Sequence, residues 1–183
     1  MALFDRLIAA ATIKHLLIIA LICGGIRYGV IPRFGAELLT TPGAGPLDLM
    51  FAYTPAEAFA NIGAFSDAAR SSYRMFLVTA DIAYPISYTL LFVWAIALVS
   101  RTTRLERARW PFAPPLLLFG FDILENATVF TLLTLHPDQP VALAWLASIF
   151  TTLKWSFAGV TMLVLVYALG LRLLKQGASP ENR

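Results

Sequence analysis

The chain has 183 residues, of which 58% are hydrophobic and 14% charged, with a mean hydropathy of +0.72. Soluble domains carry roughly a quarter charged residues, so this composition excludes a soluble single-domain enzyme, a disordered regulator and a DNA-binding module, and it identifies a membrane protein. The net charge of +3 and pI near 9.2 then record membrane topology rather than an anionic partner, and no nucleic-acid partner is expected. A lone cysteine, Cys23, excludes an internal disulfide, and His15 and His136 lie far apart in sequence. No metal and no cofactor are expected.

Crossing roughly 30 Å of hydrocarbon takes about 20 apolar residues in a helix. Four stretches satisfy this: Ile13 to Ile31, Met75 to Val99, Pro111 to Thr134 and Val141 to Leu173. The expected fold is all-α, a four-helix transmembrane bundle forming a single domain over residues 1–183. No small-residue cleavage site follows the first stretch, where Arg27, Tyr28, Pro32 and Arg33 come instead, so an uncleaved span is expected. Gly24-Gly25 within it suits close helix packing.

The outer loop, 32–74, begins with the helix-breaking run Thr40-Thr41-Pro42-Gly43-Ala44-Gly45-Pro46. Thr54-Pro55-Ala56-Glu57 follows, an N-cap, a proline at the first helical position and a glutamate placed to close a capping box. A short amphipathic surface helix should start there and end near Gly63, and Ser66 with Asp67 should cap the next helix. The segment reads as a structured connector on the bilayer surface rather than as a lid over a site.

Orientation follows from basic residues beside the spans. One side holds Arg6, Lys14, Arg101, Arg104, Arg107, Arg109, Arg172, Lys175 and Arg183. On the other, Arg27, Arg33, Arg70 and Arg74 are offset by Glu37, Asp48, Glu57 and Asp67. A multi-pass protein of a cell inner membrane with both termini cytoplasmic is expected. Trp110, Trp145, Trp155, Tyr28 and Tyr73 suit interfacial anchoring.

Four ionisable residues fall deep within the spans: Asp81, Asp122, Glu125 and Lys154. Each costs roughly 2.5–3.5 kcal/mol at the centre of a lone helix, so they should face one another rather than lipid. Asp122, Glu125 and Asn126 stand at i, i+3 and i+4, which puts them on one helix face. At 1.5 Å per residue from Thr134, Glu125 lies roughly 14 Å deep and Asp122 roughly 18 Å. In the second span Arg70, Arg74, Leu77, Asp81, Tyr84 and Tyr88 form a stripe, and in the fourth Thr151, Lys154, Ala158 and Thr161 form a small polar face. Pro85 removes the hydrogen bond to the Asp81 carbonyl and should kink the helix there. Three acids then face one buried amine, with Arg74 expected to reach inward by snorkelling.

Asp81, Tyr84, Tyr88, Asp122, Glu125, Asn126, Lys154 and Arg74 are therefore the candidate ligand-binding residues. Asp122, Glu125 and Asp81 are the candidate acids for any catalysis.

The run Gly63-Ala64-Phe65-Ser66-Asp67-Ala68-Ala69-Arg70, with Tyr73, Asp81, Tyr84-Pro85, Tyr88, Phe121-Asp122 and Glu125-Asn126, resembles a pattern carried by uncharacterised bacterial four-span integral membrane proteins. That resemblance brings no activity with it. The residues themselves favour binding of a lipophilic small molecule or lipid at a buried acidic cluster. The alternatives are an intramembrane acid/base enzyme, isomerase-like, on an isoprenoid or sterol-like lipid, and a proton-coupled small transporter acting as a dimer. The expected partners are membrane lipids, a lipophilic small molecule and a second copy of the chain.

Overall fold

A computed structural model of the chain describes residues 3–34 and 45–177. Helix α1 (Leu3–Ala9) leads to α2 (Ile13–Phe34), whose course loosens into a π-helical turn at Ile26–Val30. Across the segment expected on the outer side come a 3-10 turn at Leu47–Leu49 and α3 (Pro55–Ala64). The second apolar span is two helices, α4 (Asp67–Val78) and α5 (Ala80–Ser100), followed by α6 (Ala113–Leu135) and α7 (Val141–Gly177). No strand occurs among the described residues, and four helical stretches, Ile13–Phe34, Asp67–Ser100, Trp110–Leu135 and Val141–Gly177, are long and apolar enough to cross a membrane.

The exposed surface confirms the solvent. Leu21, Leu163, Val166 and Leu174 are exposed on α2 and α7, while Asp81, Asp122, Glu125 and Lys154 are buried. A water-soluble fold buries its apolar residues and solvates its charges; the opposite distribution suits hydrocarbon. The most extensive helix contact is between α6 and α7, with α5 packed on both and α2 resting chiefly on α5.

Local chemistry sets the outer segment as its sequence implies. Thr54 accepts from the Glu57 N–H while the Glu57 carboxylate accepts from the Thr54 N–H at 2.7 Å, a complete capping box. These hydrogen bonds hold the Glu57 carboxyl below its ordinary value. Ser66 caps α4 through the Ala69 N–H at 3.1 Å. The helix α3 runs to Ala64, one residue past the expected glycine stop.

The segment does not simply lie on the bilayer surface. Leu47, Tyr53, Ala58, Ile62 and Phe65 are buried in one apolar cluster with Tyr73, Phe76, Val129, Leu132 and Ala144, so the outer segment roofs the end of the bundle. Tyr73 is fully buried there rather than anchoring at an interface. A second cluster at the opposite end joins Ala11, Val93, Ile96, Phe112 and Val164. Along α5, α6 and α7 the buried polar residues fall between these two apolar ends, apart from Ser100 at the end of α5.

The second span also differs from expectation at its break. Helical geometry lapses at Thr79 (φ −125°, ψ −88°), whose hydroxyl donates to the Met75 carbonyl at 2.6 Å. The same back-bond occurs at Thr131 and Thr134 within an unbroken α6, so it accompanies the break and does not by itself cause it. Pro85 therefore sits inside α5, five residues after that helix starts, and the discontinuity lies upstream of it.

Both described chain ends lie with the 101–109 loop at one end of the bundle. Arg109 pairs with Asp5, Arg101 donates to the Ala11 carbonyl at 2.6 Å, and Lys175 donates to the Thr102 carbonyl.

Candidate functional site

Lys154 is the hub of the buried polar layer. It projects from α7 with its side chain only 9% exposed, forms an ion pair with Glu125 of α6, and stands 3.7 Å from Asp122 Oδ1. Its ammonium also reaches the Asp48 carbonyl at 3.3 Å. Because Asp122 and Glu125 are three apart on α6, one amine serves both.

Each carboxylate has a second partner. The Tyr88 hydroxyl donates to Asp122 Oδ2 at 2.5 Å, and Thr151 donates to Glu125 Oε1 at 2.6 Å. Tyr53 of the outer segment lies 3.3 Å from the Thr151 hydroxyl. Burial pushes the Tyr53 phenol well up, so it keeps its proton at neutral pH. With the single Thr151 proton given to Glu125, Tyr53 is the donor in that contact. The chain Tyr53, Thr151, Glu125, Lys154, Asp122, Tyr88 thus links the outer segment to the bundle interior.

Asp81 stands apart from this chain. Its backbone carbonyl, deprived of a donor by Pro85, accepts from Asn126 Nδ2 at 2.6 Å. The carbonyl expected to be free is therefore filled by a side chain of the neighbouring helix. Asp81 Oδ2 and Asn126 Oδ1 are buried with no hydrogen-bond partner among the described residues.

This arrangement gives a double-mutant prediction. Asn126→Leu leaves the Asp81 carbonyl unsatisfied and is expected to cost about 1–3 kcal/mol. In Pro85→Ala the N–H returns, and adding it to Asn126→Leu should recover most of that loss. Thermal unfolding midpoints of the four proteins in detergent check this; additive effects would refute the link.

Beside these groups lies a cavity of about 610 Å³ between all four spans and the outer segment. Asp81, Tyr84, Tyr88, Asp122 and Lys154 line it, joined by Asp48, Trp155 and Arg27. Phe76, Leu91, Phe92 and Leu118 form much of its apolar wall. A volume of this size holds a small organic ligand. Tyr84 and Tyr88 meet edge to face at 5.3 Å on one side of it.

The structure brings most of the sequence-derived residues together and sets others aside. Glu125 is fully buried behind Lys154 and is not among the lining residues. Arg74 does not join the cluster: it donates to the Leu133 carbonyl at 3.1 Å. The last carbonyls of α6 lack helical partners, and they attract a cation more cheaply than a buried carboxylate does. Arg70 does the same for Ile62 at the end of α3, at 3.2 Å.

Two contributors carry no advance signal. Asp48 reads in sequence only as an outer-side acid, yet its carbonyl accepts from both Lys154 and Trp155, the latter at 3.0 Å. Tyr53 is likewise placed by the roof, its N–H held by Ser148 at 3.0 Å. Only the chain path of the outer segment creates these contacts. Among the described residues no group of three or more His, Cys, Asp or Glu is arranged to hold a metal ion. Comparison with family models, with curated proteins and with solved structures gives no match to this chain.

Proposed function

We propose that this membrane protein binds a lipophilic small molecule or lipid in the cavity between its four spans. The observation that carries the reading is the pairing of an apolar chamber of about 610 Å³ with a polar wall made by Asp81, Asp122 and Lys154. A purely structural polar layer needs partners, not volume. Here three helices spend ionisable residues beside a space that packing leaves unfilled.

The basic bias at the end holding the 101–109 loop supports placing that end in the cytoplasm and the roofed end outside, in a bacterial inner membrane. The roof then lies toward the outer leaflet.

Native mass spectrometry of protein purified in mild detergent tests the reading. A discrete adduct is expected on the wild type, and Ala158→Phe, which projects a ring into the cavity, is expected to remove it while the protein stays folded. An adduct that survives Ala158→Phe, or a wild type carrying only detergent and random lipid, would overturn it.

A further inference from the structure

We propose that the ligand's polar end is an alkylammonium, a cationic amine on an apolar chain, and that Asp81 is the group that pairs with it. This inference rests on the binding reading above and specifies its ligand class.

Charge is unbalanced at the polar wall. Asp48, Asp81 and Asp122 line the cavity, and Glu125 stands behind Asp122 on the same helix face. Lys154 is the sole lysine among the lining residues, and it is already engaged by Glu125, Asp122 and the Asp48 carbonyl. Arg27 also lines the cavity, but it lies on an exposed stretch of α2, with its guanidinium 5.7 Å from the centre of the Tyr28 ring. Among the described residues Asp81 is left without a salt-bridge partner. It is 6% exposed, and its Oδ2 has no hydrogen-bond partner among the described residues.

Hydrogen-bonding capacity points the same way. Asn126 must present its amide N–H to the Asp81 carbonyl, which only accepts, so its Oδ1 is an acceptor as well. That oxygen and Asp81 Oδ2 both lack a partner among the described residues. These two oxygens lack a donor, although Arg27 and Tyr84 also line the cavity. An ammonium supplies donors and nothing else, whereas a hydroxyl brings a further acceptor and a carboxylate brings only acceptors.

Aromatic rings complete the fit. Tyr84, Tyr88 and Trp155 line the cavity beside the acids, and ring faces attract alkylammonium groups more than neutral heads. Lys154 already stands 5.6 Å from the centre of the Trp155 ring. The chain of the amphiphile would run along Phe76, Phe92 and Leu118.

The test compares three probes of equal chain length, dodecylamine, dodecanol and dodecanoate, binding to the full-length protein in dodecyl maltoside at neutral pH. Detergent competition acts alike on all three, and empty micelles are subtracted. Dodecylamine is expected to bind at least about tenfold more tightly than dodecanol, as a charge-assisted pair requires, and dodecanoate most weakly. Asp81→Asn should erase the preference for the amine over dodecanol. Asp81→Glu should keep the preference. Equal binding of all three probes to the wild type would overturn the ammonium assignment and leave the lipophile reading standing. No binding of any probe would overturn both. The wild-type comparison needs no variant to fold.

Discussion

Replacing Lys154 with methionine is expected to cost about 3–5 kcal/mol of stability, because it leaves the buried carboxylates of Glu125 and Asp122 without their shared cation. Glu125 has no exposed surface, and the side chains of Asp122 and Lys154 are only 7% and 9% exposed. Glu125, sealed from the cavity, has no water to take the lost partner's place. The pair itself need not be stabilising, since the desolvation of two ions offsets much of their attraction. The double variant Lys154→Met, Glu125→Leu should therefore recover at least half of the loss. The readout is the temperature at which half of the detergent-solubilised protein leaves the monodisperse peak. A single variant within about 1 kcal/mol of wild type would show that the ammonium does not sit between these carboxylates.

The second large effect is expected at Tyr73, which joins the roof to the spans. Its ring is fully buried against Phe65 and Phe76, with centroids at 6.1 and 6.3 Å. Its hydroxyl accepts from the Leu47 N–H at 2.9 Å and donates to Asp48 Oδ1 at 3.2 Å. Tyr73→Ala removes ring and hydroxyl together and is expected to cost about 3–5 kcal/mol. Tyr73→Phe keeps the packing but strands a buried N–H, at about 1–3 kcal/mol. In that variant hydrogen exchange should quicken at the Leu47 and Asp48 amides and remain slow along α6. Uniform acceleration across the bundle would mean that the hydroxyl does not act through the roof.

Hydropathy makes the four spans legible, because twenty apolar residues in a row have few other uses. The polar face of α6 is equally readable, since Asp122, Glu125 and Asn126 are fixed at i, i+3 and i+4 by helix geometry alone. The caps at Thr54 and Ser66 depend on neighbours within three residues, and they form as written.

What the sequence hides is long-range. Arg74 shares a stripe with Asp81, yet it turns to the end of α6 because unpaired helix carbonyls lie within reach, a fact about where α6 stops. The break at Thr79 carries no signal in its own back-bond to Met75, since Thr131 and Thr134 make the same bond within an unbroken α6. The 3-10 turn that sets the Asp48 carbonyl on Lys154 and Trp155 comes from an irregular segment, which carries no periodicity to read. Pro85 is an intermediate case. Its missing donor is visible in sequence, and its replacement by Asn126 appears only when α5 and α6 pack together.

The central claim is that a ligand-sized space persists beside the acids of α5 and α6. An experimental density map of the protein, purified without added ligand and resolved well enough to place side chains, tests it most directly. The expected result is elongated density among α2, α5, α6 and α7, ending near Asp81 and running along Phe92 and Leu118. A chamber closed by those side chains, or Lys154 turned outward to the acyl chains, would contradict the account.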